Sequence, residues 1–284
     1  MGILIRGGRV VDAATQMDKV TDVYLDDGMI QEVGDKLKVK DKDDSIIDAK
    51  GLVVMPGLVD LHVHFRDPGQ TEKEDIESGS HAAARGGVTT AVAMPNTAPV
   101  IDSPDRANYV KNKAAQVSPI HVLQAGAMTK GELGEELSDI AGMAAAGVPA
   151  LSEDGKSVMK ASLCKKAMEE AVKAGLPILD HCEDMTLRGN GCMNDDENAK
   201  RLGLPGICNS TEDTIAARDS LLAIETGVKL HLCHCSTRGV AIMMKMLQAE
   251  GIENVTAEVC PHHFILTSDD IERDDPNYKM NPPL

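Results

Sequence analysis

Five side chains of the kinds that bind divalent metals come directly at or after short apolar segments. His62 and His64 are two residues apart, and on a β-strand that spacing turns both imidazoles to the same side. Asp154, His181 and His234 each follow a later apolar segment. Histidine together with carboxylate, without thiolate, is the ligand set of a hydrolytic zinc-type site. We therefore predict one metal site built from all five residues.

We expect structural roles for most of the remaining histidines and for the cysteines near the candidate ligands. His81 is expected in mid-helix, and His121 and His231 at strand starts far from the site, whereas His262 and His263 are left ambiguous. Because side chains alternate along a strand, an inward His234 predicts that Cys233 and Cys235 point outward. Cys182 is out of phase with His181 in the same way. These thiols are expected to be buried, non-ligating groups.

The elements that must position the ligands form a repeated unit of apolar strand and amphipathic helix. Seven strands are predicted to begin near Leu58, Val88, Ile120, Val148, Leu176, Lys229 and Val255. Helices are predicted between them at Glu72–Gly87, Pro104–Val117, Leu137–Gly147, Ser162–Gly175, Thr211–Gly227 and Thr237–Gly251. The alternation indicates an α/β fold with a parallel sheet, and both an open doubly wound sheet and a barrel fit it.

A (β/α)8 TIM-type barrel keeps its active site at the carboxyl ends of its strands, where the five candidates lie. Such a barrel needs eight strands, and we count seven before the chain reaches Asn281-Pro-Pro-Leu284. We therefore expect residues 55–284 to be a barrel truncated before strand eight. Residues 1–54 read as short strands with a hairpin turn at Asp26-Asp-Gly28, and we expect them to be part of a small β-sandwich domain.

Composition narrows the possible partners. Lys and Arg total 29 against 45 Asp and Glu, which gives a net charge of -16. Such a charge disfavours nucleic acid and anionic membranes as partners. The start of the chain lacks a signal-peptide pattern, and no apolar run is long enough for a membrane span. Seven cysteines without framework spacing suggest reduced thiols and a cytoplasmic location.

A set of short motifs then makes the chain resemble the class I dihydroorotases of the amidohydrolase superfamily. The resemblance is carried along the whole chain by His62-Val-His-Phe-Arg-Asp-Pro-Gly69, Lys73-Glu-Asp-Ile-Glu-Ser-Gly79, Ala82-Ala-Ala-Arg-Gly-Gly87, Met94-Pro-Asn-Thr97, Ser152-Glu-Asp-Gly155, His181-Cys-Glu183, Leu232-Cys-His234, Cys260-Pro-His-His263 and Asn281-Pro-Pro283.

The resemblance implies one or two zinc ions per subunit. His62 and His64 would bind one metal, and His181 and His234 the second. Asp154 would bridge the two as the catalytic residue of this segment, in place of the carboxylated lysine of hydantoinases. The implied reaction is the reversible cyclisation of N-carbamoyl-L-aspartate to dihydroorotate in pyrimidine biosynthesis, by metal-activated hydroxide.

Substrate contacts are implied for Arg66, Asn96 and Asn281. Arg66 and Asn96 would hold the substrate carboxylate, and Asn281 would contact the pyrimidine ring. For Arg66 the chemistry agrees independently, because a planar guanidinium matches a carboxylate bidentately and supplies positive charge to an acidic protein.

The resemblance also implies a further aspartate at the end of strand eight, which this chain does not reach. We therefore expect little turnover from the 284 residues alone. Two alternatives stay open: an allantoinase or hydantoinase acting on another cyclic ureide, and an inactive scaffold bound to aspartate transcarbamoylase. A homodimer is a further possibility for its assembly.

Overall fold

The computed structural model describes all residues from 1 to 284, and the chain forms two compact units. The first is Met1–Leu58 and the second is Val59–Leu284. The predicted domains, residues 1–54 and residues 55–284, stay predictions. No helix is both long and apolar enough to cross a membrane.

The first unit is one five-stranded sheet. Its strands are β1 (Ile3–Asp12), β2 (Met17–Asp26), β3 (Met29–Gly34), β4 (Ser45–Asp48) and β5 (Val53–Val54). β2 and β3 form the predicted hairpin, and positive φ angles of 49° at Asp27 and 70° at Gly28 give the turn the twist that a two-residue hairpin needs. β4 and β5 pair with β1 in parallel, and Leu4 of β1 and Val23 and Tyr24 of β2 are buried. A second layer that would make a sandwich stays a prediction.

The second unit alternates strands and helices as predicted. Its strands are β6 (Leu58–Val63), β7 (Val88–Ala93), β8 (His121–Gln124), β9 (Gly126–Ala127), β10 (Leu151–Ser152), β11 (Ile178–Asp180), β12 (Met193–Asn194), β13 (Gly206–Ile207), β14 (Leu230–Leu232) and β15 (Val255–Ala257). Its helices are α1 (Ile76–Arg85), α2 (Pro104–Val117), α3 (Ile140–Ala146), α4 (Ala161–Ala174), α5 (Met185–Arg188), α6 (Glu197–Leu202), α7 (Ser210–Thr226), α8 (Arg238–Ala249) and α9 (Pro261–Ile265).

The six predicted helices correspond to α1, α2, α3, α4, α7 and α8. α1 begins later than predicted because the Asp75 carboxylate caps it, accepting from the backbone N–H of Ser78 at 2.8 Å. α5, α6 and the small β12–β13 ladder lie between β11 and α7, where the sequence pattern indicated no element.

Hydrogen bonds connect all seven predicted strand positions in order. One set of paired strands has the order β6-β7-β8, and a second set has the order β9-β10-β11-β14-β15. The pairing is parallel between β7 and β8 and throughout the second set. Only Ala125 separates β8 from β9, and its backbone N–H donates to Ala93 at 2.9 Å. The expected α/β architecture with parallel sheets is therefore confirmed.

The two faces of this sheet carry different clusters. One face packs on the helices through residues such as Ala91, Ala93 and Leu232. Alternate residues on the other face form a separate buried cluster of Val92, Met94, Ala125, Ala150, Leu179 and Cys233. Because side chains alternate between the two faces of a strand, each strand contacts the helices on one face and this second cluster on the other. This arrangement is typical of a sheet that is buried on both sides.

The outer strands of the order are β6 and β15. β6 is poorly covered, with Leu58, Val59 and Leu61 exposed by 49%, 60% and 40%. Nevertheless the Nδ1 atom of His62 on β6 lies 3.8 Å from the Oε1 atom of Glu258, the residue after β15. The carboxyl ends of the first and last strands in the order therefore approach each other.

Candidate metal centre

All five predicted ligands meet at the carboxyl ends of four strands. His62 lies in β6, and the other four follow β6, β10, β11 and β14 within two residues. They form two groups of potential ligand atoms, and Asp154 belongs to both. Asp154, His181 and His234 are buried, with exposed fractions of 3%, 3% and 7%. The rings of His62 and His234 are 5.0 Å apart, so the two groups are contiguous.

The first group consists of His62, His64 and Asp154. The two Nε2 atoms of the histidines are 3.2 Å apart. Asp154 faces them with Oδ1 at 3.2 Å from His62 Nε2 and Oδ2 at 3.6 Å from His64 Nε2. In the second group, His181 Nδ1 lies 2.9 Å from His234 Nε2 and 3.9 Å from Asp154 Oδ1. One carboxylate thus faces both pairs of imidazoles.

These spacings fit divalent metal ions. A tetrahedral zinc ion with bonds of about 2.0–2.1 Å places its ligand atoms about 3.3 Å apart, close to the separations within both groups. The Oδ1 atom of Asp154 and the Nδ1 atoms of His62 and His234 are buried without hydrogen-bond partners. A bound cation would satisfy Asp154 Oδ1, because an unpaired buried carboxylate oxygen is costly. The residues present therefore fit a metal centre.

Most of the protonation states of the site suit metal binding. Burial lowers the pKa of His234 to about 2, and the proximity of the His181 and His62 imidazoles acts in the same direction. Burial also lowers the pKa of His64. Burial opposes ionisation of Asp154, but its close contacts with His62 and the other nearby histidines prevail and hold its pKa well below the usual range. Neutral imidazole and ionised carboxylate are the forms that bind metals.

His62 is the exception in the absence of a cation. Burial acts to lower its pKa, yet the close contact with the Asp154 carboxylate and its negative charge outweigh burial and raise it. A metal on Nε2 would take the place of the proton that Asp154 stabilises, so metal binding at this group would release a proton.

Polar groups also contact the ring nitrogens that face away from the centre. The Nδ1 atom of His64 lies 3.1 Å from Asn96 Oδ1, and the Nε2 atom of His181 lies 3.2 Å from Glu183 Oε2. The amide of Asn96 also donates to Asp154 Oδ2 at 2.5 Å. Such contacts fix the tautomer and orientation of a metal-binding histidine.

The predicted substrate residues lie at the edge of this centre. The guanidinium of Arg66 is 3.4 Å from both the backbone oxygen and the Oδ1 atom of Asn96. On the opposite side, the amide of Asn281 donates to Glu183 at 3.3 Å and lies 3.5 Å from His181 Nε2. The structure thus brings Arg66 and Asn96 together beside the first group, and Asn281 beside the second.

A cavity of about 270 Å³ adjoins the second group. Its lining includes His181, Glu183, Asn281, His263 and Arg238. The cavity offers room for a small polar ligand next to the centre, with one guanidinium in its wall.

The predicted orientation of Cys233 was wrong. Cys233 belongs to the buried cluster on the face of the sheet that is turned away from the helices, and its sulfur lies close to the potential ligand atoms of His62 and Glu258. Its side chain therefore points to the same side as the metal centre. His234 reaches the centre as well because β14 ends at Leu232 and His234 has a φ of 37°, which breaks the alternation. Cys182 and Cys235 do pack on the helix-facing side as expected. Burial raises the pKa of all three thiols, and therefore they are protonated.

The interpretation of His231 was also wrong in part. His231 lies within β14, but it is not remote from the site. Its Nε2 atom is 3.3 Å from Glu258 Oε2, while the other oxygen of the same carboxylate is 3.8 Å from His62. His81 is exposed on α1 and His121 begins β8, as predicted.

Two carboxylates that the sequence interpretation passed over approach the ligands, Glu183 and Glu258. Glu183 lies two residues after His181 at the end of β11, and Glu258 directly follows β15. Their positions after strand ends are the sequence signal that could have identified them. The ambiguous pair His262 and His263 forms a further group of potential ligand atoms with Cys260 at partly exposed positions. In that group His263 Nε2 contacts the backbone oxygen of Pro282 at 3.3 Å.

Comparison with known proteins assigns this constellation to a family. Residues 51–240 match the family model described as "Dihydro-orotase-like". The chain is 45% identical over 284 residues to the dihydroorotase of Solibacter usitatus (strain Ellin6076) and 46% identical over 282 residues to that of Clostridioides difficile (strain 630). The matches cover 100% and 99% of this chain but only 65% and 66% of those proteins.

Solved structures give the same picture of the fold. The L-hydantoinase (dihydropyrimidinase) from Arthrobacter aurescens superimposes with a TM-score of 0.82 at 25% identity, covering 99% of this chain and 63% of that chain. The D-hydantoinase from Thermus sp. gives 0.79 at 24% identity and supports the fold alone. The family match covers more than half of the residues and includes all five candidate ligands. This chain therefore belongs to the dihydroorotase-like family.

Proposed function

We propose that the protein to which these residues belong is a metal-dependent dihydroorotase, which interconverts N-carbamoyl-L-aspartate and dihydroorotate. The observation that carries the proposal is the pair of ligand groups that share Asp154, with Arg66 and Asn96 beside them. Relatives named dihydroorotase at 45% and 46% identity support this substrate, although the chain spans only about 65% of their length.

The centre would hold one or two zinc ions, with Asp154 shared between His62–His64 and His181–His234. A divalent ion there supplies Lewis acidity for the ring carbonyl and lowers the pKa of a water molecule toward ~7. Asp154 is held ionised, and Asn96 fixes one of its oxygens. The chain's own contribution is thus a preset arrangement of four imidazoles around one anionic ligand.

Arg66 would bind the substrate carboxylate. Its guanidinium donates to Asn96 at long distances of 3.4 Å, so most of its donors remain free for a ligand. A bidentate pair with a carboxylate would orient the ring amide toward the ligand groups. Asn96 would assist, and Asn281 would contact the ring from the side of His181.

For the fold we propose a TIM-type barrel, with residues 1–54 as part of a β-sandwich. The approach of His62 on the first strand to Glu258 after the last supports a closed curvature of the sheet. A cytoplasmic location, a homodimer and association with aspartate transcarbamoylase remain predictions.

A hydantoinase activity is the second candidate, supported by the superposition on the Arthrobacter aurescens enzyme. The relatives named dihydroorotase are closer in sequence, at 45% against 25% identity. The retained set of five ligands argues against the inactive scaffold, which would not need them.

Substrate assays with metal analysis test the proposal. Hydrolysis of dihydroorotate, hydantoin, dihydrouracil and allantoin would be measured on this chain and on a version extended by the part of the Solibacter usitatus relative outside the match. We expect the zinc-loaded extended protein to hydrolyse dihydroorotate preferentially and Arg66→Gln to raise KM. Preference for hydantoin would favour the second candidate, and metal-free protein that binds aspartate transcarbamoylase would favour the scaffold.

A further inference from the structure

The carboxylate of Glu258 occupies a position that links three functional parts of the site. Its Oε1 atom lies 3.8 Å from His62 Nδ1 and accepts from the backbone N–H of His234 at 3.4 Å. Its Oε2 atom lies 3.3 Å from His231 Nε2. One side chain therefore approaches a candidate ligand from each group, and a histidine that belongs to neither.

The backbone holds Glu258 firmly in this place. Its N–H donates to Leu232 at 3.0 Å, and its carbonyl oxygen accepts from Cys235 at 2.8 Å. These bonds extend the β14–β15 pairing past the strand ends, on both sides of His234. The position of the carboxylate is thus fixed relative to the segment that carries His234.

The opposite ring nitrogen of His62 needs a partner. When Nε2 faces the metal group, the neutral imidazole carries its proton on Nδ1, which is buried without a hydrogen-bond acceptor. The carboxylate of Glu258 is within ion-pair range of this atom, and a side-chain shift of less than about 1 Å would bring them to hydrogen-bond distance.

His231 completes the chain of contacts. Its Nδ1 atom lies 2.8 Å from the hydroxyl of Thr256, which leaves Nε2 directed at Glu258. The Nε2 atom of His231 is buried without a hydrogen-bond partner, so Glu258 is within ion-pair range of two such ring nitrogens, one on His231 and one on His62. An apolar side chain at 231 would remove the partner of Glu258 Oε2.

We propose that Glu258 is a positioning residue for His62 and that His231 acts through it to set the affinity of the His62–His64–Asp154 group for metal. The proposal rests on the metal centre of the proposed function and adds to it the residues that decide how tightly one of the two groups binds. Loss of such an outer carboxylate typically weakens metal affinity 10–100-fold.

Cobalt(II) titration of the intact chain tests this independently of turnover. Affinity would be measured by competition with a chromophoric chelator, and the visible spectrum of bound cobalt would be recorded. We expect Glu258→Ala to weaken one binding step about 10–100-fold and to alter the cobalt spectrum. The exposed Glu253→Gln is the matched control and should bind as the unaltered chain does. Glu258→Gln keeps an acceptor oxygen and should show a smaller loss, which provides a milder variant if Glu258→Ala folds poorly.

The double variant decides whether His231 acts through Glu258. We expect His231→Ala to weaken the same step less than Glu258→Ala, and the combination to be no weaker than Glu258→Ala alone. Unchanged affinity and spectrum in Glu258→Ala would overturn the proposal, and strictly additive losses would overturn the part assigned to His231. If the unaltered chain binds no cobalt, the metal centre itself is wrong, an outcome distinct from the failure of Glu258.

Discussion

The two ligand groups of the metal centre are assembled in different ways. His62 and His64 come from consecutive inward positions of β6 and its extension, so the strand period alone brings their Nε2 atoms to 3.2 Å. His181 and His234 are 53 positions apart, yet their nitrogens are 2.9 Å apart. The first pair is a product of local geometry, whereas the second depends on the β11–β14 pairing and on the positive φ of His234.

The difference shows how a fold of repeated strand–helix units brings together metal ligands that are far apart in sequence. Parallel strands of similar direction deliver their carboxyl ends to one edge, so ligands from separate repeats converge without any sequence proximity. Asp154 joins the two constructions because it faces both pairs. We call His62–His64–Asp154 the local group and Asp154–His181–His234 the tertiary group. Variants at these positions can separate the metal affinity of one group from that of the other.

The largest effect is expected for Asp154→Asn, which removes the charge that both groups share. We expect zinc affinity of the chain to fall more than 100-fold, beyond the usual cost of losing an outer partner of a ligand. Metal content after dialysis, measured by elemental analysis, checks this. Asp105→Asn, at an exposed position of α2, is the control. Full zinc content in Asp154→Asn would show that the two groups do not depend on a common ligand.

A selective loss is expected for His64→Gln and His181→Gln. Each should weaken the group to which it belongs and leave the other able to bind, because the two pairs share only Asp154. Stepwise cobalt titration would show one step weakened in each variant. His81→Gln, exposed on α1, is the matched histidine control. Loss of both steps from either single variant would mean that the groups form one inseparable site.

A pH-dependent effect on stability is expected at Glu132, a buried residue near Asp154. Burial raises the pKa of Glu132 to about 8, and the charges of Glu153 and Asp154 add to this. The pKa in the folded state is thus above the unfolded value near 4.5, so this stabilisation is complete below pH 4.5 and is lost as pH rises toward 8.

Glu132→Gln removes the ionisable carboxyl group and, with it, this loss of folding stability at rising pH. Relative to the unaltered chain, we expect the variant to gain on the order of a few kcal/mol between pH 5 and pH 9, seen as a rise in relative Tm of roughly 5–10 °C. Thermal unfolding at a series of pH values measures the change, with the exposed Glu135→Gln as control. A difference in Tm that is independent of pH would contradict the raised pKa.

The smallest effect is expected for Thr237→Ala, at the start of α8 behind the tertiary group. The Thr237 hydroxyl accepts from the backbone N–H of Val240 at 3.2 Å, and loss of such a cap costs about 1 kcal/mol. Thermal unfolding should show a fall in Tm of roughly 2–4 °C with unchanged cobalt affinity. Thr237→Ser keeps the hydroxyl and should retain the Tm. A loss of cobalt affinity in Thr237→Ala would show that the cap also supports His234.

Much of the fold was predictable because its signals are local. Seven strands and six helices were placed by hydrophobic period, and the structure has them in the same order. The elements between β11 and α7 were missed because β12 and β13 have only two residues each, too few for a period to appear.

The ligand types of the candidate site were also predictable, since each stands next to a strand end. The orientation of Cys233 was not, because alternation applies only while the strand continues and β14 stops at Leu232. His231 and Glu258 were missed for a related reason: their contact joins two strands, and no spacing along one strand reveals it.

The sequence by itself determined the order of strands and helices and placed histidine and aspartate at the strand ends, because these depend on residue period and residue type. Only the tertiary structure decided that Asp154 faces both pairs, that Cys233 and His234 lie on the same side, and that Glu258 stands behind His62. The physical reason is that these relations depend on pairing between strands and on one backbone angle at His234, and both are set when the sheet forms.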